Sequence, residues 1–170
     1  MNFDLLSTTQ PGAIRVAVVQ QERVPEQPGW ISDSHQGNAM RGSCLCRSIE
    51  YEVSQLDSPI EHCSCKTCRK AHAAAFNTAA SVKQEHFRWL KGESLLKGHE
   101  SSPGKKRFFC SNCGTHLVAQ REGRDYLILR VATLDDDPGQ VPEFQIWASH
   151  EVPWLHYGSS VIAYPEWAPD

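Results

Sequence analysis

The chain has 170 residues, a hydrophobic share of 40% and five tryptophans, enough for one folded domain with a real core and short of two. A formal net charge of −3 argues against a general binder of nucleic acid or of anionic membranes, which would carry a basic excess. Seven cysteines, an odd number set in CxC and CxxC spacings, suit metal better than disulfides, and so imply a reducing, cytoplasmic compartment.

Residues 1–40 hold no cysteine, three prolines (Pro11, Pro25, Pro28) and a polar run from Ser32 to Asn38. They read as an appended arm, disordered or carrying one added strand at Ile14–Val19, ahead of a zinc domain over 41–170. No basic segment precedes an apolar core there, and Arg15 interrupts the best apolar run, so neither a signal peptide nor a membrane span is expected.

From Gly42 the pattern tightens. Ser48–Val53 alternates, with Ile49, Tyr51 and Val53 on one side, which predicts a half-buried strand leaving the turn that carries Cys44 and Cys46. Cys63, Cys65 and Cys68 then fall within six residues, followed by a helix predicted over Thr67–Ala75. Short strands are predicted at Asn77–Val82, Phe87–Leu90 and Phe144–Trp147. Lys105–Phe109 leads into Cys110 and Cys113, where Gly114 lets the chain turn under a metal. His116–Gln120 and Tyr126–Leu134 read as a hairpin about Glu122 and Gly123. Many short strands and one helix make the fold mainly β.

Thiolates are favoured zinc ligands, and so short a turn can wrap one tetrahedral ion. Seven divide naturally into four and three: Cys44, Cys46, Cys110 and Cys113 make a closed, structural set, and Cys63, Cys65 and Cys68 an open one, with two ions per chain. A rival division places one of Cys63, Cys65 or Cys68 in the closed set, and spacing does not exclude it. The fourth corner of the open site falls to water, a substrate thiol, His62 or His72. His116 and His156 read as core histidines. Arg69 and Lys70 follow the thiols and read either as a solvated helix face or as a cationic rim that lowers thiolate pKa and attracts a carboxylate-bearing ligand.

Gly42 to Cys46 (GSCLC), His62 to Lys70 (HCSCKTCRK) with Phe76, Phe109 to Gly114 (FCSNCG), and the pairs Ile146-Trp147 and Pro153-Trp154 resemble the glutathione-dependent formaldehyde-activating enzyme family, which includes centromere protein V. The resemblance runs from about Gly42 to Pro165. It implies an Mss4-like fold of short antiparallel strands, a structural zinc at Cys44, Cys46, Cys110 and Cys113, and a second zinc at Cys63, Cys65 and Cys68. Two departures stand out: Arg47 and Ala73 occupy positions where the family has glycine, and a methyl group at 73 is expected to crowd a ligand approaching the helix.

Two functions follow as expectations. One is a carbon–sulfur lyase in which zinc at the open site binds a small thiol, such as glutathione, that adds to or leaves an aldehyde carbon, formaldehyde for example. The other is a zinc-stabilised binding or scaffolding module, with the basic cluster Lys105, Lys106 and Arg107 facing a partner.

Overall fold

The computed structural model describes residues 39–155 and 162–168. The expected arm lies outside them apart from Ala39 and Met40, and so does His156. The described strands are β1 (Met40–Ser43), β2 (Glu50–Val53), β3 (Ile60–Cys63), β4 (Asn77–Lys83), β5 (Phe87–Lys91) and β6 (Leu96–Ser102). They continue with β7 (Lys105–Cys110), β8 (His116–Arg121), β9 (Tyr126–Arg130), β10 (Pro142–Ile146) and β11 (Ile162–Ala163), and the helix α1 spans Lys66–His72. Among the described residues no helix is long and apolar enough to cross a membrane.

Strands β1, β2 and β5 form a small sheet in the order β1-β2-β5. The alternation read from the sequence holds: Ile49, Tyr51 and Val53 are fully buried, while Glu50 and Glu52 face outward and pair with Lys91 and Arg88 at 3.2 and 2.9 Å. Gly42 lies against the Tyr51 ring so closely that any side chain would collide with it. The Tyr51 hydroxyl in turn meets the Thr133 hydroxyl at 2.7 Å.

The large sheet runs β11-β10-β3-β4-β9-β8-β7-β6. Its pairs are antiparallel except β3–β10 and β10–β11, where the expected antiparallel order gives way. The chain from Asp135 to Val141 crosses over before β10, so β10 runs with β3 rather than against it. Val82, Val118 and Leu129 present one face of this sheet to Tyr51 and Val53 of the small sheet, and each such buried side chain is worth roughly 1.5–3 kcal/mol. Because side chains alternate along a strand, Glu61, Ala79, Ile128, Arg130 and Arg107 belong to the other face.

The hairpin and the strands at Asn77, Phe87 and Phe144 appear within a few residues of expectation, although Tyr126–Leu134 is a strand only to Arg130 and a 3₁₀ turn beyond. β1, β3, β6 and β11 were not expected. β6 shows why: it is an exposed edge strand with a single partner, so no apolar alternation marks it.

Helix α1 is shorter than predicted, because Ala73 turns left-handed at φ 48° and its N–H caps the Arg69 carbonyl. Arg47 is also left-handed, at φ 56°. Both are the positions where glycine was expected, and an L side chain there is strained. Arg47→Gly and Ala73→Gly should therefore each stabilise the fold by about 0.5–1 kcal/mol, read as a higher denaturation midpoint. A lowered midpoint would mean that the side chains contribute more than their backbones cost.

Candidate metal centres and the cavity beside them

Two sulfur clusters form, divided as the sequence suggested: Cys44, Cys46, Cys110 and Cys113 in one, and Cys63, Cys65 and Cys68 in the other, with all sulfurs of a cluster within 4.8 Å of one another. All seven cysteines are free of disulfides. In the first cluster two sulfur pairs stand 3.5 and 3.9 Å apart, bracketing the roughly 3.8 Å edge of a tetrahedron with Zn–S bonds of about 2.3 Å. The donor set and its spacing fit zinc.

Each turn of this cluster is shaped by its own backbone. The Ile49 N–H points at Cys44 Sγ at 3.3 Å, and Gly114, left-handed at φ 76°, returns its N–H to the Cys110 carbonyl. Thr115 ties the two turns together, accepting from the Leu45 N–H at 3.1 Å and meeting Cys113 Sγ at 3.2 Å. Burial raises the Cys44 thiol to about 11, whereas at Cys113 burial is outweighed by the hydrogen bonds of Thr115 and the thiol falls to about 6.

The second cluster stands at the junction of β3 and α1. Cys63 ends the strand, and Cys65 caps the helix, its sulfur accepting from the Cys68 N–H at 3.4 Å. Cys68 is buried in the first turn, and Arg107 Nη2 donates to its sulfur at 3.5 Å. The neighbouring sulfurs of Cys63 and Cys65, then Arg107, hold Cys68 well below the ordinary thiol range, while the sulfurs of Cys65 and Cys68, then burial, push Cys63 above it. Neither His62 nor His72 joins the cluster. His62 Nδ1 meets the Thr78 hydroxyl at 3.1 Å and its ring packs on Phe76. His72 packs edge-on against His116 at 4.9 Å, and burial lowers it to about 3, so it is neutral. Three sulfurs, two of them buried, with no fourth His, Cys, Asp or Glu atom among the described residues, suit an open zinc site.

Cys63, Cys65 and Cys68 lie on the wall of a cavity of about 630 Å³, whereas the four-cysteine cluster lies away from it. Six cations line it: Lys66, Lys105, Arg107, Arg121, Arg124 and Arg130. The expected rim residues Arg69 and Lys70 are not among them, nor is Ala73, which is exposed at the far end of the helix. The cluster of Lys105, Lys106 and Arg107 does not form one patch either: Lys106 points away to cover the Phe108 ring, while Lys105 and Arg107 line the cavity.

The sequence reading missed Glu61 and Arg130. Glu61 is the single carboxylate among the lining residues, and burial raises it to about 7, a value at which a carboxyl both gives and takes protons near neutrality. Burial, then Arg107, lowers the Arg130 guanidinium to about 10. A lone arginine inside the apolar run from Leu127 to Val131 was a signal available beforehand. Trp147, His150 and Trp167 close one side, with Trp147 between the other two at ring distances of 5.2 and 5.5 Å.

Residues 39–150 match the family model described as glutathione-dependent formaldehyde-activating enzyme. A Podospora anserina protein provisionally named as such an enzyme is 29% identical over 128 residues, covering 69% of this chain and 57% of its own length. A Schizosaccharomyces pombe protein, named only as an uncharacterized lyase, is 30% identical over 76 residues, which is 45% of this chain and 53% of that protein. The chain thus spans little more than half the length of these curated relatives. A crystal structure of a Rhodobacter sphaeroides protein superposes with a TM-score of 0.51 at 28% identity, covering 61% of this chain and 98% of the other, and the mainly β architecture is consistent with an Mss4-like fold.

If the four-cysteine cluster holds the two sheets' ends together through zinc, Cys113→Ser should abolish cooperative melting and lower zinc content, at a cost of several kcal/mol. A variant that melts like the wild type would show that this cluster is not a structural centre.

Proposed function

Because the chain belongs to the glutathione-dependent formaldehyde-activating enzyme family, we propose that it is a zinc-dependent carbon–sulfur lyase-type enzyme acting on a small thiol of the glutathione kind and an aldehyde such as formaldehyde. The observation that carries this reading is the asymmetry of the two clusters, a complete set of four away from the cavity and an open set of three on its wall. In this reading Cys44, Cys46, Cys110 and Cys113 hold a structural ion, and Cys63, Cys65 and Cys68 hold a second. Zinc at the second site would supply positive charge that favours the thiolate form of an incoming thiol.

The chain's own residues do the rest. Arg107 donates to Cys68 Sγ and adds to the effect of the Cys63 and Cys65 sulfurs that favours the ionised form of that sulfur. Trp147 and Trp167 present ring surface to the cavity, an apolar wall beside its cations. In the forward direction the thiol gives up its proton, its sulfur bonds to the aldehyde carbon as the carbonyl π bond opens, and the oxygen takes up a proton. The reverse sequence releases thiol and aldehyde, with every atom conserved.

Cys65→Ser separates this reading from a purely structural one, because serine keeps the helix cap while giving up the sulfur ligand. The variant is expected to melt cooperatively, to lose one of two zinc ions per chain by elemental analysis, and to lose the heat of glutathione binding in titration calorimetry. Glutathione binding that survives the substitution, or a wild-type chain that binds no thiol, would point instead to a zinc-stabilised binding module.

A further inference from the structure

We propose that Arg107 and Arg130 form a carboxylate seat inside the cavity, so that the site selects an acidic thiol over a neutral one. The inference rests on the thiol reading of the three-cysteine cluster and names the class of thiol. Strand register brings the two arginines onto the site face of the large sheet: Glu61, Ala79 and Arg130 share one rung, and Arg107, Ala119 and Ile128 another.

Both guanidinium groups are almost wholly buried, at 2% and 3% exposure, yet neither is fully partnered. Arg107 donates from Nε to Ser101 Oγ at 2.9 Å and from Nη2 to Cys68 Sγ, which leaves Nη1 without a partner. Arg130 has none at Nε or Nη2. Buried charged donors are costly unless satisfied, and a planar fork of N–H groups matches a carboxylate.

The charge of the whole cavity points the same way. Three thiolates on a divalent ion carry one net negative charge, and Glu61 adds at most one more, so the six lining cations keep an excess of about four. That surplus in a chain of net charge −3 attracts an anion from solution. Since Arg107 reaches Cys68, a carboxylate at the seat lies beside the sulfur cluster, and a cavity of about 630 Å³ accommodates one small acidic thiol.

Titration calorimetry on the full zinc-loaded chain, with glutathione, its diethyl ester and S-methylglutathione, tests this. The wild type is expected to bind glutathione roughly tenfold or more tightly than the ester, and Arg130→Gln to weaken both acids by a similar factor while leaving the ester unchanged. Equal affinity of the wild type for acid and ester overturns the seat without any variant. So does S-methylglutathione binding that is absent or indifferent to Arg130→Gln, and so does inorganic phosphate displacing glutathione at equal concentration. The thiol reading fails separately: glutathione would then bind no better than S-methylglutathione, and Cys65→Ser would change neither, while an Arg130-dependent S-methylglutathione response would still uphold the seat.

Discussion

The convergence of four sulfurs from two turns 64 residues apart is the constraint on which the rest of the structure depends. Cys44 and Cys46 sit between the first two strands of the small sheet, while Cys110 ends β7 of the large one and Cys113 lies in the turn that follows. Bringing them together closes a long loop, and that entropy must be recovered by contacts forming at once. The apolar interface supplies part, through Tyr51, Val53, Val82 and Leu129, and the sulfur cluster fixes the register at one end. Cys44 and Cys110 are themselves buried members of that core, so the cluster and the apolar interface are continuous.

Once one face of the large sheet is committed to that interface, period-two alternation commits the other face to something else. That face carries Glu61 and Cys63 on β3, Arg130 on β9 and Arg107 on β7, and the second sulfur cluster opens onto it. A sheet face rich in buried cations is poor stabilising material, because each guanidinium loses hydration that its neighbours do not replace. Burial and then the neighbouring Arg107 lower the tendency of Arg130 to stay charged, and the sulfurs of Cys68 and Cys63 offset this in part. The arrangement makes physical sense as a site for a ligand, and the core on the opposite face carries the stability.

How much of this could be read from the residues follows from which signals are local. The two cysteine sets and the alternation of Ile49, Tyr51 and Val53 are written in spacings of two and three residues, and they appeared where expected. The cations did not, because the face a side chain takes is set by strand register. Lys105, Lys106 and Arg107 look like one basic cluster in sequence, but in a strand the middle residue turns away from its neighbours. Arg69 and Lys70 lie next to the thiols in sequence yet are not among the residues lining the cavity. Glu61 reaches the site by cross-strand pairing with Ala79, which no short window encodes.

Left-handed backbone outside glycine occurs, among the described residues, at Arg47, Ala73 and Trp147. Each directly follows a segment that delivers a functional group: the first cysteine turn, the helix bearing Cys68, and the strand ending at the cavity's Ile146. Such conformations cost of order 1 kcal/mol or more and persist where the surroundings over-determine them. At Trp147 the surroundings are visible, since its N–H is held by the Glu166 carbonyl at 2.7 Å and its ring by His150 and Trp167. The segment from Ile162 to Ala168 thus holds one aromatic wall of the cavity in a backbone conformation it would not adopt alone, linking a two-residue edge strand to the shape of the site.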